Sequence, residues 1–302
     1  MKLRALRRNY RANRMLYWMF FPVVVYVLIM NYVPMAGLIM GFEDYSFTKG
    51  IFGSRFVGLK NFRDFFSGLF FTRTLRNTLI LSGLDLLFNF PAAILFALLL
   101  NELGGLRFKK AVQTVSYMPH FISMIVVAGL ILEFTNSTGV ISSIGQAFGR
   151  PAKSYITFPE YFRTIFTVSS IWQSIGFDSI IYLAALSGVS EKLYEAARID
   201  GAGRIQQTVH VTIPGILPTI IIMLILRCGQ IMNVNFEKVL LLYSPSTYET
   251  ADIISTYVYR IGIIKQKIGF STAVGMFNSV AGLIMIVSAN ALSRKYTEVS
   301  MF

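Results

Sequence analysis

Three charged side chains, Asp85, Asp178 and Arg227, sit inside long apolar runs, where each costs about 2.5–3.5 kcal/mol near a helix centre on insertion scales. Such groups do not face lipid. Ser82, Asp85 and Asn89 recur at spacings of three and four, which places them on one helical face. Ser170, Ser174 and Asp178 repeat at four with Gln173 beside them, and Ser271, Gly275, Asn278 and Gly282 form a further stripe. Two chemistries fit these stripes. Either an Asp–Arg pair and Ser/Asn hydrogen bonds glue helices together, or the groups line a wet path for a polyhydroxylated solute such as a sugar. On the second, the candidate substrate-binding residues are Asp85, Asn89, Trp172, Gln173, Asp178, Arg227 and Asn278. Carboxylates and amides exchange hydrogen bonds with hydroxyls, Trp172 and Phe177 can stack on sugar faces, and Arg227 can pair with a uronate carboxylate.

No catalytic constellation accompanies them. Cys228 is the single cysteine and lies in an apolar run, so no intrachain disulfide or thiolate cluster exists. His120 and His210 are far apart and fall on opposite expected sides of the membrane, which gives no metal site.

The elements that must carry the stripes are membrane helices. Hydrophobic residues make up 54% of 302 and charged residues 14%, too few to keep the chain in water. A spanning helix needs about 20 apolar residues, and six runs qualify: 17–40, 78–100, 116–134, 162–186, 213–233 and 268–292. They are continuous rather than alternating, which favours helices over a barrel. The expected fold is all-α and polytopic, a single transmembrane domain over 1–302.

The start is basic and free of acids, with Lys2, Arg4, Arg7, Arg8, Arg11 and Arg14. Its apolar stretch is longer than a signal peptide's and has no small-x-small cleavage site, so it reads as an uncleaved anchor with the N-terminus in the cytoplasm. Six spans return Arg294 and Lys295 to the same side. Short basic turns (Arg107, Lys109, Lys110) are expected inside, and longer loops bearing Glu43, Asp44, Asp64, Glu160, Glu249 and Asp252 outside. The net charge of +13 then serves anchoring at anionic lipid headgroups, and no soluble basic domain exists to bind nucleic acid.

Between the first two runs, Phe56, Leu59, Phe62, Phe65 or Phe66 and Leu69 have helical spacing and suggest an amphipathic surface helix. The loop 234–267 carries Tyr243, Tyr248, Tyr257 and Tyr259, as interfacial anchors or as aromatics that meet an arriving sugar. Prolines 22, 34, 91, 119, 214 and 218 interrupt the spans, which is tolerated where neighbours or a cavity re-satisfy the freed carbonyls.

Between runs four and five stands a polar segment. Ser190 is placed to cap a short helix with acids in its first turns, and Gly201 and Gly203 end it. Ala196 and Ala197 leave a thin face that can sink into a groove, while Glu195 and Asp200 offer charges to a basic partner. Residues 190–203 are therefore expected to form a cytoplasmic docking helix.

Residues 195–218, EAARIDGAGRIQQTVHVTIPGILP, resemble the EAA loop of permease subunits in ATP-binding-cassette importers. Glu195, Ala196, Ala197, Asp200, Gly201, Ala202, Ile213, Pro214 and Pro218 match that pattern. Val209 stands where an aromatic is usual, and Ile213 replaces the usual Leu. Asn31–Met35, Phe56–Phe62, Asn77-Thr78, Leu98–Glu102 and Tyr117–Ser123 are similar to the oligosaccharide-permease group, and within it to the branch importing polysaccharide fragments such as alginate or pectin oligomers.

The resemblance implies a multi-pass subunit of the bacterial inner membrane, with both termini cytoplasmic and six spans. It implies a second homologous permease subunit as a partner in a heterodimer, an ATPase dimer gripping the coupling residues Glu195, Ala196, Ala197, Asp200, Gly201 and Ala202, and an extracytoplasmic solute-binding protein delivering an oligosaccharide. The chain contains no Gly-Lys dipeptide, hence no phosphate loop; ATP and Mg are expected on the ATPase partner and no cofactor here. The alternative is an ion-coupled secondary transporter using Asp85 or Asp178 as a relay. A membrane enzyme acting on lipid-linked sugar would need an acid–base or nucleophile cluster, and none is present.

Overall fold

Three π-helical turns, Leu28–Tyr32, Asp85–Asn89 and Thr208–Thr212, each end two residues before a proline, at Pro34, Pro91 and Pro214. Proline has no N–H and its ring crowds the carbonyl four residues back, so the chain widens by one residue per turn there rather than breaking. The computed structural model describes residues 13–297 and 299–301, and Lys2, Arg4, Arg7, Arg8 and Arg11 lie outside them. It is almost wholly helical, with one two-residue antiparallel ribbon pairing Glu43 with Phe56 and Asp44 with Arg55. Five helical stretches are long and apolar enough to cross a membrane: Arg14–Phe42, Phe71–Glu102, Met124–Ala147, Arg204–Gly229 and Ile268–Thr297. A sixth helix, Pro159–Leu186, has 28 residues, and its polar stripe dilutes its hydropathy.

The chain divides into two compact units, 1–66 with 261–276, and 67–260 with 277–302. In the first, α1 (Arg14–Val27) continues through a π turn into a tight 3-10 segment, Val33–Phe42. Its large apolar side chains, Trp18, Phe20 and Phe21 among them, are exposed, as a lipid-facing surface must be. The expected amphipathic helix is shorter than its spacing suggests. Only α2 (Lys60–Phe66) is helical, with Phe65 buried and Phe56, Leu59 and Leu69 exposed. Gly58 has φ +59, a left-handed residue that turns the chain before α2. Asn61 explains the Phe56–Phe62 motif: its Nδ2 donates to the carbonyls of Gly41 (3.0 Å) and Glu43 (2.9 Å), tying α2 to the 3-10 segment.

The second unit holds α3 (Phe71–Leu84), α4 (Phe90–Glu102), α5 (Leu106–Tyr117), α6 (Met124–Thr135), α7 (Val140–Ala147), α8 (Pro159–Leu186), α9 (Glu191–Ile199), α10 (Ile213–Gly229), α11 (Phe236–Leu242), α12 (Ile254–Tyr259) and the last two thirds of α13 (Ile268–Thr297). The third expected span, 116–134, is not one helix. α5 ends at Tyr117, Met118–Phe121 forms a 3-10 turn around Pro119, and Ser123 caps α6 through its hydroxyl. Helix α8 packs along α4, where Ala93 and Ala97 give room to Tyr182 and Leu186. A second core joins Leu81, Val127, Ile131, Phe162, Phe166 and Val239.

Helices α5 and α8 touch backbone to backbone at Gly176, where an added Cβ would collide with the Ser116 carbonyl. Gly176→Leu is expected to force them apart at a cost of about 1–3 kcal/mol. Thermal unfolding of the detergent-solubilised subunit, with Gly176→Ala as the smaller perturbation, checks this.

Candidate functional site

The π turn Asp85–Asn89 directs both of its polar ends to one side, where Asn89 Nδ2 donates to Asp85 Oδ1 (3.1 Å). Facing them, α8 presents Ser170, Ser174 and Asp178 from one stripe, and α10 presents Arg227. Arg227 lies between the two carboxylates, its Nη2 2.5 Å from Asp178 and its Nη1 3.5 Å from Asp85. The Ser174 hydroxyl is 3.0 Å from both Asn89 Oδ1 and the Ser170 carbonyl. One polar network therefore crosses three elements.

The network borders a cavity of about 770 Å³, whose lining includes Ser82, Asp85, Asn89, Ser170, Gln173, Ser174, Asp178 and Arg227. That volume lies in the range of sites that enclose small ligands. Both chemistries expected of the stripes are present, since the Asp–Arg arrangement is itself a cavity wall. Gln173 is buried, and among the described residues its amide N–H reaches only the Met124 sulfur at 3.9 Å, a weak acceptor that a ligand's oxygen can replace.

Two of the sequence candidates do not line the cavity. Trp172 is 44% exposed on another face of α8, because two residues along a helix is a rotation of about 200° from Ser170. Asn278 is buried behind the wall, donating to Asn233 Oδ1 at 2.8 Å; Asn233 lines the cavity in its place. Phe177 is also withdrawn from sugar stacking, its ring lying parallel to His120 at 3.8 Å. Gly282, from the stripe of the last span, serves helix packing: a Cβ there would meet the Gly229 carbonyl at 3.3 Å.

Sequence reasoning missed His120, Phe166, Asn235 and Glu237, which also border the cavity, and Lys238 behind it. The signal for His120 was its place beside Pro119, at a break in the third run. For Lys238 it was Asn235 three residues earlier, whose Oδ1 caps α11 by accepting from the Lys238 N–H at 3.2 Å.

Elsewhere in this unit, fully buried Asp252 holds Arg73 (2.9 Å) and Arg260 (2.6 Å). The Arg260 guanidinium lies over the Tyr248 and Tyr257 rings, so these tyrosines have structural work. Burial pushes the Arg260 pKa down, but the hydrogen bonds and charge of Asp252 outweigh it and hold the group above its usual value.

The second candidate element is α9 with the turn after it. No residue of α9 is buried, and Ile199 and Ile205 are 86% and 81% exposed, an apolar surface open to a partner. Ser190 sits at the cap position without a side-chain cap bond. Gly201, at φ +81, ends the helix, and Ala202 N–H closes it on the Ala197 carbonyl at 2.8 Å, the left-handed C-terminal motif that glycine permits. Glu195, Ala196 and Asp200 face outward, whereas Ala197 and Ala202 are half-buried. Tyr194 Oη meets Thr212 Oγ1 at 3.0 Å, and Gly215 packs against Val189 so closely that a Cβ would lie 2.9 Å from it. The loop is thereby fastened to the start of α10.

Residues 65–298 match the family profile described as binding-protein-dependent transport system inner membrane component. The chain is 42% identical over 293 residues to protein LplB of Bacillus subtilis (strain 168), covering 97% of this chain and 92% of that one. It is 41% identical over 291 residues to the polygalacturonan/rhamnogalacturonan transport system permease protein YteP of the same organism, covering 96% and 91%. Among solved structures, a bacterial ABC transporter involved in the import of the acidic polysaccharide alginate has a chain similar at TM-score 0.89 and 43% identity, with 97% of this chain and 99% of that chain covered. A structure of a bacterial alginate ABC transporter in complex with an alginate pentasaccharide-bound periplasmic protein is similar to the same degree.

Proposed function

Because the chain belongs to the binding-protein-dependent transport system inner membrane component family, we propose that it forms half of the translocation path of an importer whose cargo is an acidic oligosaccharide. Membership makes it a membrane-spanning permease subunit of an ABC sugar importer and not an enzyme. The observation that carries the transport role is the 770 Å³ polar cavity inside a unit that also displays the unburied helix α9. Support for an acidic cargo comes from relatives above 40% identity whose names specify polygalacturonan, rhamnogalacturonan and alginate.

A second permease subunit, a different chain, completes the path. A separate ATPase dimer holds ATP and Mg, and Glu195, Ala196, Ala197, Asp200, Gly201 and Ala202 form the element it grips. Both termini and α9 then lie in the cytoplasm, in keeping with the basic residues Arg107, Lys109 and Lys110, which stand at the start of α5 rather than in a turn. Asp85, Asn89, Gln173, Asp178 and Arg227 line the cargo's route.

Reconstitution tests this. Liposomes holding the complete transporter are expected to take up trigalacturonate or a mannuronate trimer only with ATP inside and the loaded binding protein outside. Uptake by this chain alone, driven by a proton or sodium gradient, would overturn the proposal.

A further inference from the structure

Lys238 has no exposed surface, yet it forms no ion pair among the described residues. Its ammonium makes one hydrogen bond, 3.0 Å to Ser170 Oγ, and lies 5.5 Å from the centre of the Phe166 ring. Of the three donors an ammonium carries, one therefore has an acceptor among the described residues. A buried charge left that incompletely satisfied is costly, and a hydrophobic side chain at this position would meet the Phe166 ring without that cost.

What the lysine does follows from Ser170. Ser170 lines the cavity, and its Oγ accepts from Lys238, while its own O–H has no acceptor among the described residues. A hydroxyl accepting from an ammonium is a stronger donor, and this one belongs to a side chain that lines the cavity. The other cavity charges do not compete for the role. Arg227 is held by Asp85 and Asp178, and Glu237, exposed on the cavity side of α11, is an anion.

We infer that Ser170, with Lys238 behind it, is the receptor for the cargo's carboxylates: the Ser170 O–H donates to a carboxylate oxygen, and the ammonium donating to the same Oγ supplies the compensating charge. Lys238 is thus a positioning residue that sets specificity through Ser170, and the inference rests on the acidic-cargo proposal above. A neutral sugar hydroxyl can accept the same bond but gains little from the charge.

The test is equilibrium binding of radiolabelled trigalacturonate, and of the same trisaccharide with its carboxyls reduced to alcohols, to the complete transporter in detergent. Wild type is expected to prefer the acid. Lys238→Met should weaken acid binding about tenfold or more with little effect on the reduced sugar, Ser170→Ala should weaken the acid as much and the reduced sugar by clearly less, and the double variant should add little to the loss of acid binding. Lys238→Arg should restore most of the preference, which a purely structural lysine would not predict. Equal loss for both sugars, or none for the acid, in Lys238→Met and Ser170→Ala alike overturns this inference while leaving the acidic cargo standing. A wild-type transporter with no preference for the acid overturns both.

Discussion

Glu195→Arg is expected to lower ATP-driven uptake by about tenfold or more while the subunit stays folded and inserted. The fold is spared because no residue of α9 is buried and Glu195 faces outward, and exposed charge changes shift stability by only about 0.5 kcal/mol. The loss arises at the proposed ATPase contact, where reversing a charge that meets a basic groove costs about 2–5 kcal/mol. ATP hydrolysis should continue, so the ratio of solute moved to ATP consumed is the quantity to measure. Gly201→Val should give the same uncoupling by another route. At φ +81 a branched side chain costs about 1–2 kcal/mol, and the turn that closes Ala202 on Ala197 loosens. Gly201→Asn should retain activity, since asparagine tolerates that backbone. Normal coupled uptake by Glu195→Arg would show that α9 is not the docking element.

The placement of the candidate site residues was legible in the sequence to the extent that it rests on local periodicity. Ser170, Ser174 and Asp178 at spacings of four reached the cavity together because a helix keeps such residues on one face whatever it packs against. Trp172 is turned away by the same rule: its aromatic ring suggested stacking on a sugar face, and helical rotation places it on another side of α8. Asn278 failed for a different reason. Its stripe was real, but Asn233 from the chain after α10 stands between it and the cavity, and no periodicity reports what a connecting segment covers. Lys238 follows Glu237 in a stretch between spans, where adjacent opposite charges read as solvated. Only the packing of α11 against α6 and α8 buries one and exposes the other. The division of the third run at Pro119 was hidden because proline is ordinary in membrane helices, and π turns absorb it at Pro34, Pro91 and Pro214.

Arg227→Gln separates two accounts of the charge cluster. If Arg227 receives uronate carboxylates, the variant should lose acidic cargo and keep neutral cargo. The geometry leads to the opposite expectation. Arg227 is bound to Asp178 at 2.5 Å and approaches Asp85 at 3.5 Å, so removing it strands two carboxylates facing one cavity, and any cargo meets a disordered, more negative wall. All three side chains are about a quarter to a third exposed, so the cost is discounted from the 3–5 kcal/mol of a fully buried pair to about 1–3 kcal/mol. Uptake of acidic and neutral oligosaccharides should fall together, with a lower yield of folded subunit. Asp178→Asn combined with Arg227→Gln should recover part of both, because the double change removes the stranded charge, and a coupling of about 0.5–3 kcal/mol in the cycle would measure the pair. Selective loss of the acidic cargo alone would instead make Arg227 its receptor and leave the two aspartates as incidental neighbours.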